Sequence, residues 1–164
     1  MSCPNPVSNF QTGLSSLGSG VNVGAACSMQ QRPVIAPGGA GAAAVAFTLS
    51  PAQSGSIIQI SANGSGAAIQ ITLPVLADVS VGCFYDFQVI VAQGGSAWVI
   101  RPAAATSVSG VLVMSTPSCA ATNGQNSVTI TATGVKGDTL RVWSDGVQWQ
   151  YLGFSGAAAG MSSP

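Results

Sequence analysis

From residue 44 onward, apolar and polar positions alternate along the chain. Ile69, Ile71 and Leu73 are separated by Gln70 and Thr72. Cys83, Tyr85, Phe87, Val89 and Val91 alternate with Phe84, Asp86, Gln88 and Ile90. A period of two sends successive side chains to opposite faces, the pattern of a half-buried strand. On this basis strands are predicted over AVAFTLS (44–50), SIIQIS (56–61), AAIQITLP (67–74), CFYDFQVIVA (83–92), AWVIRP (97–102), SVSGVLVMST (107–116), NSVTITAT (126–133), DTLRVWS (138–144) and VQWQYLG (147–153). Gly110 predicts a bend within 107–116. Pro117, Cys119 and Asn123-Gly124 read as a loop. No segment carries a helical period. Short strands with turn signals between them imply an all-β fold, an antiparallel β-sandwich, with a jelly roll as one form of it. The pattern does not specify strand order.

The run RVWSDGVQWQYLGFSG (141–156) places Asp-Gly between two alternating segments, a hairpin signal. With Asp145 and Gly146 as a two-residue turn, Ser144 faces Val147, Trp143 faces Gln148, Val142 faces Trp149 and Arg141 faces Gln150. Residues opposite one another share a face. One face then carries Leu140, Val142, Val147, Trp149 and Tyr151, and Trp149 is a core residue. The other carries Arg141, Trp143, Gln148 and Gln150. A Trp on an outer face is costly in water and typical of interface anchors. Three readings stand for Trp143: an interface, cover from within the subunit, and a platform for a sugar.

Residues 1–43 differ from the rest. QTGLSSLGSGVNVGAACSMQQRPVIAPGGAGAAA is rich in Gly, Ala, Ser and Pro and holds no sustained period. It reads as an extended N-terminal arm, either solvated or ordered against a neighbour. Leu14, Leu17, Val34 and Ile35 supply apolar anchors that a solvated linker does not need. The sandwich is expected over 44–156, with a tail over 157–164.

Composition narrows the function. Charged residues are 5% of the chain, four basic and four acidic with no Glu and no His, against an apolar share of 47%. Four scattered cations cannot form a phosphate-neutralising patch, which argues against nucleic acid as a partner. No run approaches the length of a membrane span. The start MSCPNPVSNF lacks a basic and an apolar region, so no cleaved signal peptide is expected. A neutral surface of Ser, Thr, Gln, Ala and Gly suits a protein packed against others or exposed outside a cell.

Chemistry is sparse. Without His or Glu there are few acid–base pairs, and a Cys nucleophile lacks its usual base. No catalytic residue, metal site or cofactor is expected. Asp138 and Asp145 lie in turns, where Asp bonds to nearby backbone. APGGAGAAA lacks the Gly-Lys-Ser/Thr ending of a phosphate loop. Cys3, Cys27, Cys83 and Cys119 show no metal spacing and are expected as free thiols, with disulfides left open. Asn63-Gly64-Ser65 fits a glycosylation sequon and also a turn.

The order ITLP (71–74), YDFQV (85–89), WVIRPAA (98–104), NSVTITA (126–132) and GDTLRVWSDGVQWQYLGFSG (137–156) resembles a β-sandwich domain of phage tail-fibre and other virion surface or capsid-associated proteins. The resemblance covers roughly residues 67–156. It implies a structural virion protein, commonly a homotrimer. The expected function is a minor capsid, cement or decoration subunit located in the virion, partnered by itself and by the major capsid protein. The expected interface comprises Trp143, Arg141, Gln148, Gln150, Phe84 and Ile90, with Leu14, Leu17, Val34 and Ile35 on the arm. The alternative is a tail-fibre or receptor- and glycan-binding domain. A third reading, an adhesin or ice-binding surface on the Thr row TITAT (129–133), rests on a short motif.

Overall fold

The computed structural model describes residues 32–36, 46–61, 68–103, 106–115 and 119–164. Among them, two mixed β-sheets pack together as a sandwich. The strands are β1 (Val34–Ile35), β2 (Phe47–Thr48), β3 (Ile57–Ile60), β4 (Ile69–Leu73), β5 (Phe84–Val89), β6 (Trp98–Pro102), β7 (Val108–Met114), β8 (Cys119–Gln125), β9 (Val128–Ile130), β10 (Thr139–Ser144), β11 (Trp149–Ser155) and β12 (Met161–Ser162). One sheet has the order β1-β3-β5-β10-β11-β7-β8, the other β12-β9-β6-β4-β2.

The antiparallel expectation is corrected. From β1 to β6 the chain crosses between the sheets at every step, so strands adjacent in a sheet are alternate strands of the chain. β1, β3 and β5 are parallel, and so are β2, β4 and β6. The result is a flattened coil with one strand per sheet in each turn. The rest of the chain adds antiparallel pairing: β7–β8, β10–β11 and β10–β5 in the seven-stranded sheet, and β9 with both β6 and β12 in the other, while β11 runs parallel to β7. Side-chain alternation records which face a residue takes. It carries no information on strand direction, which is why the pattern revealed the sandwich and not its winding.

The core holds the expected faces. Ile69, Ile71 and Leu73 of β4 are buried, as are Tyr85, Phe87 and Val89 of β5 and Trp98 and Ile100 of β6. Trp149 is fully buried and meets Tyr85, ring centroids 6.1 Å apart. Val91, expected on the inward face, lies past the end of β5 and is half-exposed. Cys119–Gln125, expected as a loop, is a strand, and the bend near Gly110 is a register shift between β7 and β8.

Both expected boundaries move. Val34 and Ile35 pair with Ile57 and Ile58, and Ile35 packs on the core, so the folded body begins near Pro33 rather than at residue 44. At the other end, 157–164 is no tail. Met161 pairs with Ile130 and is buried. The space it fills is made by Gly153, an inward-facing residue of β11. A Cβ there would lie 2.6 Å from Leu112 Cδ2 and 2.8 Å from Met161 Sδ. A side chain that sequence alone leaves on a polar-looking tail completes the core because its neighbour has none.

Candidate functional site

The hairpin β10–β11 and its neighbours build the outer face of the seven-stranded sheet. The turn is longer than expected. Ser144 pairs with Trp149 and Trp143 with Gln150, so Asp145–Gln148 is a four-residue loop. The Asp145 carboxylate decides this. Its Oδ1 accepts from the Val147 and Gln148 N–H groups, both at 2.8 Å, and Oδ2 accepts from Gln150 Nε2 at 2.7 Å. These bonds, that from Gln148 foremost, hold the Asp145 carboxyl below its ordinary pKa. Gly146 takes φ +92°, the left-handed conformation the loop requires. The register moved by two residues, so the faces of Leu140, Arg141, Val142, Trp143, Trp149 and Tyr151 survive. Val147 and Gln148 change place, both now in the loop: Val147 leaves the core and stands 84% exposed at the loop tip.

Three cross-strand rows make up the outer face. In the first, Phe84 pairs with Trp143, Trp143 with Gln150 and Gln150 with Ser109. In the second, Val34, Ile57, Asp86, Arg141, Leu152, Val111 and Ala121 follow one another across the sheet. The third includes Gln88, Thr139, Phe154, Val113 and Cys119. Arg141 sits at the centre and forms a bidentate pair with Asp86, Nε to Oδ1 at 2.6 Å and Nη2 to Oδ2 at 2.8 Å. Its guanidinium carbon lies 5.2 Å from the centroid of Phe84, and the bond to Asp86 raises its already high pKa. The Arg141 side chain is half-exposed, so this pair orients the face more than it stabilises the fold.

The structure brings Trp143, Arg141, Phe84 and Gln150 together on this face. Gln148 instead anchors the loop: its Oε1 accepts from Ser107 Oγ at 3.3 Å and lies 3.1 Å from Ser109 Oγ. Ile90 lies just beyond β5, its N–H donating to the Ile60 carbonyl. Val34 is exposed at the β1 edge and Ile35 is half-buried. Leu14, Leu17, Cys3, Cys27 and the Asn63 sequon lie outside the described residues. Cys83 and Cys119 are free thiols, one buried and one exposed.

Sequence reasoning missed a second part of the face. Leu152, Phe154, Val111 and Val113 are adjacent across β11 and β7, with Phe154 and Val113 exposed. The alternation of β11 runs on through Gly153-Phe154-Ser155, and following it past residue 153 finds them. Beside them a depression of about 380 Å³ lies between Phe154, Val113 and the 135–138 turn. Val81, 72% exposed, lies against Gly146 and extends the apolar surface at the loop end.

The outer face of the five-stranded sheet is different in kind. Gln70, Thr72, Arg101, Thr129 and Ser162 point outward there, with Val99 the apolar exception. Thr131 and Thr133 are tied to the 157–160 turn, both hydroxyls donating to the Ala159 carbonyl, at 2.6 and 2.8 Å.

The two ends of the 137–156 stretch, Gly137-Asp138 and Gly153-Phe154-Ser155-Gly156, meet in space. Asp138, 1% exposed, accepts at Oδ2 from Ser155 Oγ (2.8 Å) and Val135 N–H (3.0 Å), and at Oδ1 from Gly156 N–H (2.8 Å). These residues clasp the end of β11 to the turn before β10. No family model and no curated protein matches the chain.

Proposed function

We propose that the protein is a structural subunit of a virion, a minor capsid, cement or decoration protein, that acts by burying the outer face of its seven-stranded sheet against neighbours. The observation that carries this reading is the contrast between the two outer faces. One is polar, with Thr and Gln. The other presents Trp143, Phe84, Leu152, Phe154, Val111 and Val113 around the Arg141–Asp86 ion pair. Apolar surface of this kind, rimmed by polar residues, marks association sites. The central Arg and the aromatic residues are the types enriched in interface anchors. With only 5% charged residues, little electrostatic repulsion opposes close packing of copies. The resemblance of residues 67–156 to phage tail-fibre and capsid-associated domains supplies the virion context and the homotrimer. The major capsid protein is the partner that a decoration role requires. An interface of about 800 Å² per partner is standard for stable association.

A tail-fibre or glycan-binding role is the second reading, favoured by the setting of Trp143 beside Arg141 and Gln150. In it Trp143 is the platform, because the Arg141 guanidinium already lies against Phe84. Gradient-purified particles separate the two. The proposal expects the protein in the particle band and labelled over the shell. Label confined to fibre tips supports the second reading, and absence from particles refutes both.

A further inference from the structure

β8 is an edge of the seven-stranded sheet, and its ladder with β7 is interrupted once. Val108 stands opposite Gln125 and Gly110 opposite Thr122, so Ser109 alone faces Asn123 and Gly124. This is a β-bulge: two residues replace one, and the regular ladder lapses there. Gly124 takes φ +71°, and its N–H donates to Ser109 Oγ at 3.0 Å. The Ser109 hydroxyl donates in turn to Asn123 Oδ1 at 2.8 Å. Gln148 Oε1 also lies 3.1 Å from Ser109 Oγ, but Ser107 offers that oxygen a donor of its own at 3.3 Å. The one proton of Ser109 is thereby available to Asn123. Asn123 and Gly124 are exposed, and Ser109 beneath them is buried.

One hydroxyl thus touches the amide nitrogen after Asn123 and the carbonyl oxygen of its side chain, the two reacting groups of asparagine cyclisation. We propose that Asn123–Gly124 is a self-modification site in which Ser109 relays the proton. The Gly124 nitrogen attacks Asn123 Cγ as its proton passes to Ser109 Oγ and the Ser109 proton passes to Oδ1. The neutral tetrahedral adduct passes its hydroxyl proton to the Asn123 side-chain nitrogen, which leaves as ammonia as the C=O re-forms, and a succinimide remains. Water opens the ring to aspartate or isoaspartate. Either product puts a carboxylate on an edge strand that has no charged residue. Charge on an edge opposes pairing with another strand, and isoaspartate adds a backbone methylene at the bulge. The site gives the protein a time-dependent change at that edge.

The test follows the exchange of amide for carboxyl at residue 123 by peptide mass spectrometry, in the native protein at pH 7–8 over weeks. An isoaspartyl methyltransferase assay identifies the isoaspartate product. Ser109→Ala should slow native conversion by about 100-fold, the low end of what positioned proton transfer contributes. In urea-denatured chains Ser109→Ala and wild type should convert equally, with Asn63–Gly64 as the internal reference. Ser109→Thr, which keeps the hydroxyl, should restore the native rate. Native wild type that stays unconverted while the denatured chain converts overturns the proposal. Equal native rates in wild type and Ser109→Ala, with both shown folded by thermal melting, overturn it as well.

Discussion

Replacing Asp138 tests whether its contacts with Val135, Ser155 and Gly156 are a clasp of the fold. Asp138→Ala removes one acceptor group from three donors: Val135 N–H, Ser155 Oγ and Gly156 N–H. A hydrogen bond to a charged group contributes about 1.5–3 kcal/mol, and a buried donor left unmatched costs about 1–3 kcal/mol. Gly156 lies on an exposed turn and can turn to water, whereas Ser155 is 7% exposed and cannot readily do so. The loss should therefore be about 4 kcal/mol, a large share of the roughly 5–15 kcal/mol that stabilises a domain. Asp138→Asn keeps one oxygen. Turned so that this oxygen meets Ser155 and Val135, it sacrifices only the bond from Gly156, and the cost should fall to about 2 kcal/mol. Urea unfolding followed by circular dichroism gives both values from the midpoints. Asp138→Ala within about 0.5 kcal/mol of wild type, the range of an inconsequential surface change, would refute the clasp.

Trp149→Ala should cost about 3–5 kcal/mol of stability as a core aromatic truncation. Trp143→Ala should leave the melting temperature nearly unchanged and weaken association by about 2 kcal/mol; equal thermal losses would place both indoles in the core. Asp145 has a folded pKa below its unfolded value of about 4, so its contribution is complete above that value and is lost as pH falls through the lower folded one. The stability gap between wild type and Asp145→Asn should therefore hold from neutral pH to about pH 5 and close below about pH 4; a gap that persists in strong acid contradicts the loop assignment. Deleting residues 1–31 should preserve the body, whereas deleting 1–40 also removes β1 and the bond from Ile57 N–H to the Pro33 carbonyl, and should lower the melting temperature.

The faces of β4, β5, β6, β10 and β11 were legible because burial imposes a period of two on the sequence. Strand direction was not, since parallel and antiparallel neighbours read alike along a chain. β8 was missed because CAATNGQ has no alternating apolar face: it is an edge strand with mostly open side chains and carries turn-like Asn-Gly at its bulge. β12 was missed because Met161 depends on the hole at Gly153, a contact between distant parts of the sequence. The hairpin loop was misjudged because Asp-Gly favours a two-residue turn locally, while the Asp145 side chain has three donors to satisfy across a four-residue one. Of the proposed interface, Trp143, Arg141 and Gln150 followed from the hairpin face, and Phe84 from the alternation of β5. Leu152, Phe154, Val111 and Val113 needed the parallel β11–β7 pairing, which no local signal announces.

Sedimentation of the full chain at micromolar concentration, beside Trp143→Asp and Phe154→Asp, tests the central claim most directly. The account predicts a trimer for wild type and monomers for both variants, with melting temperatures of the isolated subunits unchanged. A wild type that stays monomeric, with both variants indistinguishable from it, would contradict the assignment of the seven-stranded outer face as the surface through which this protein associates with itself.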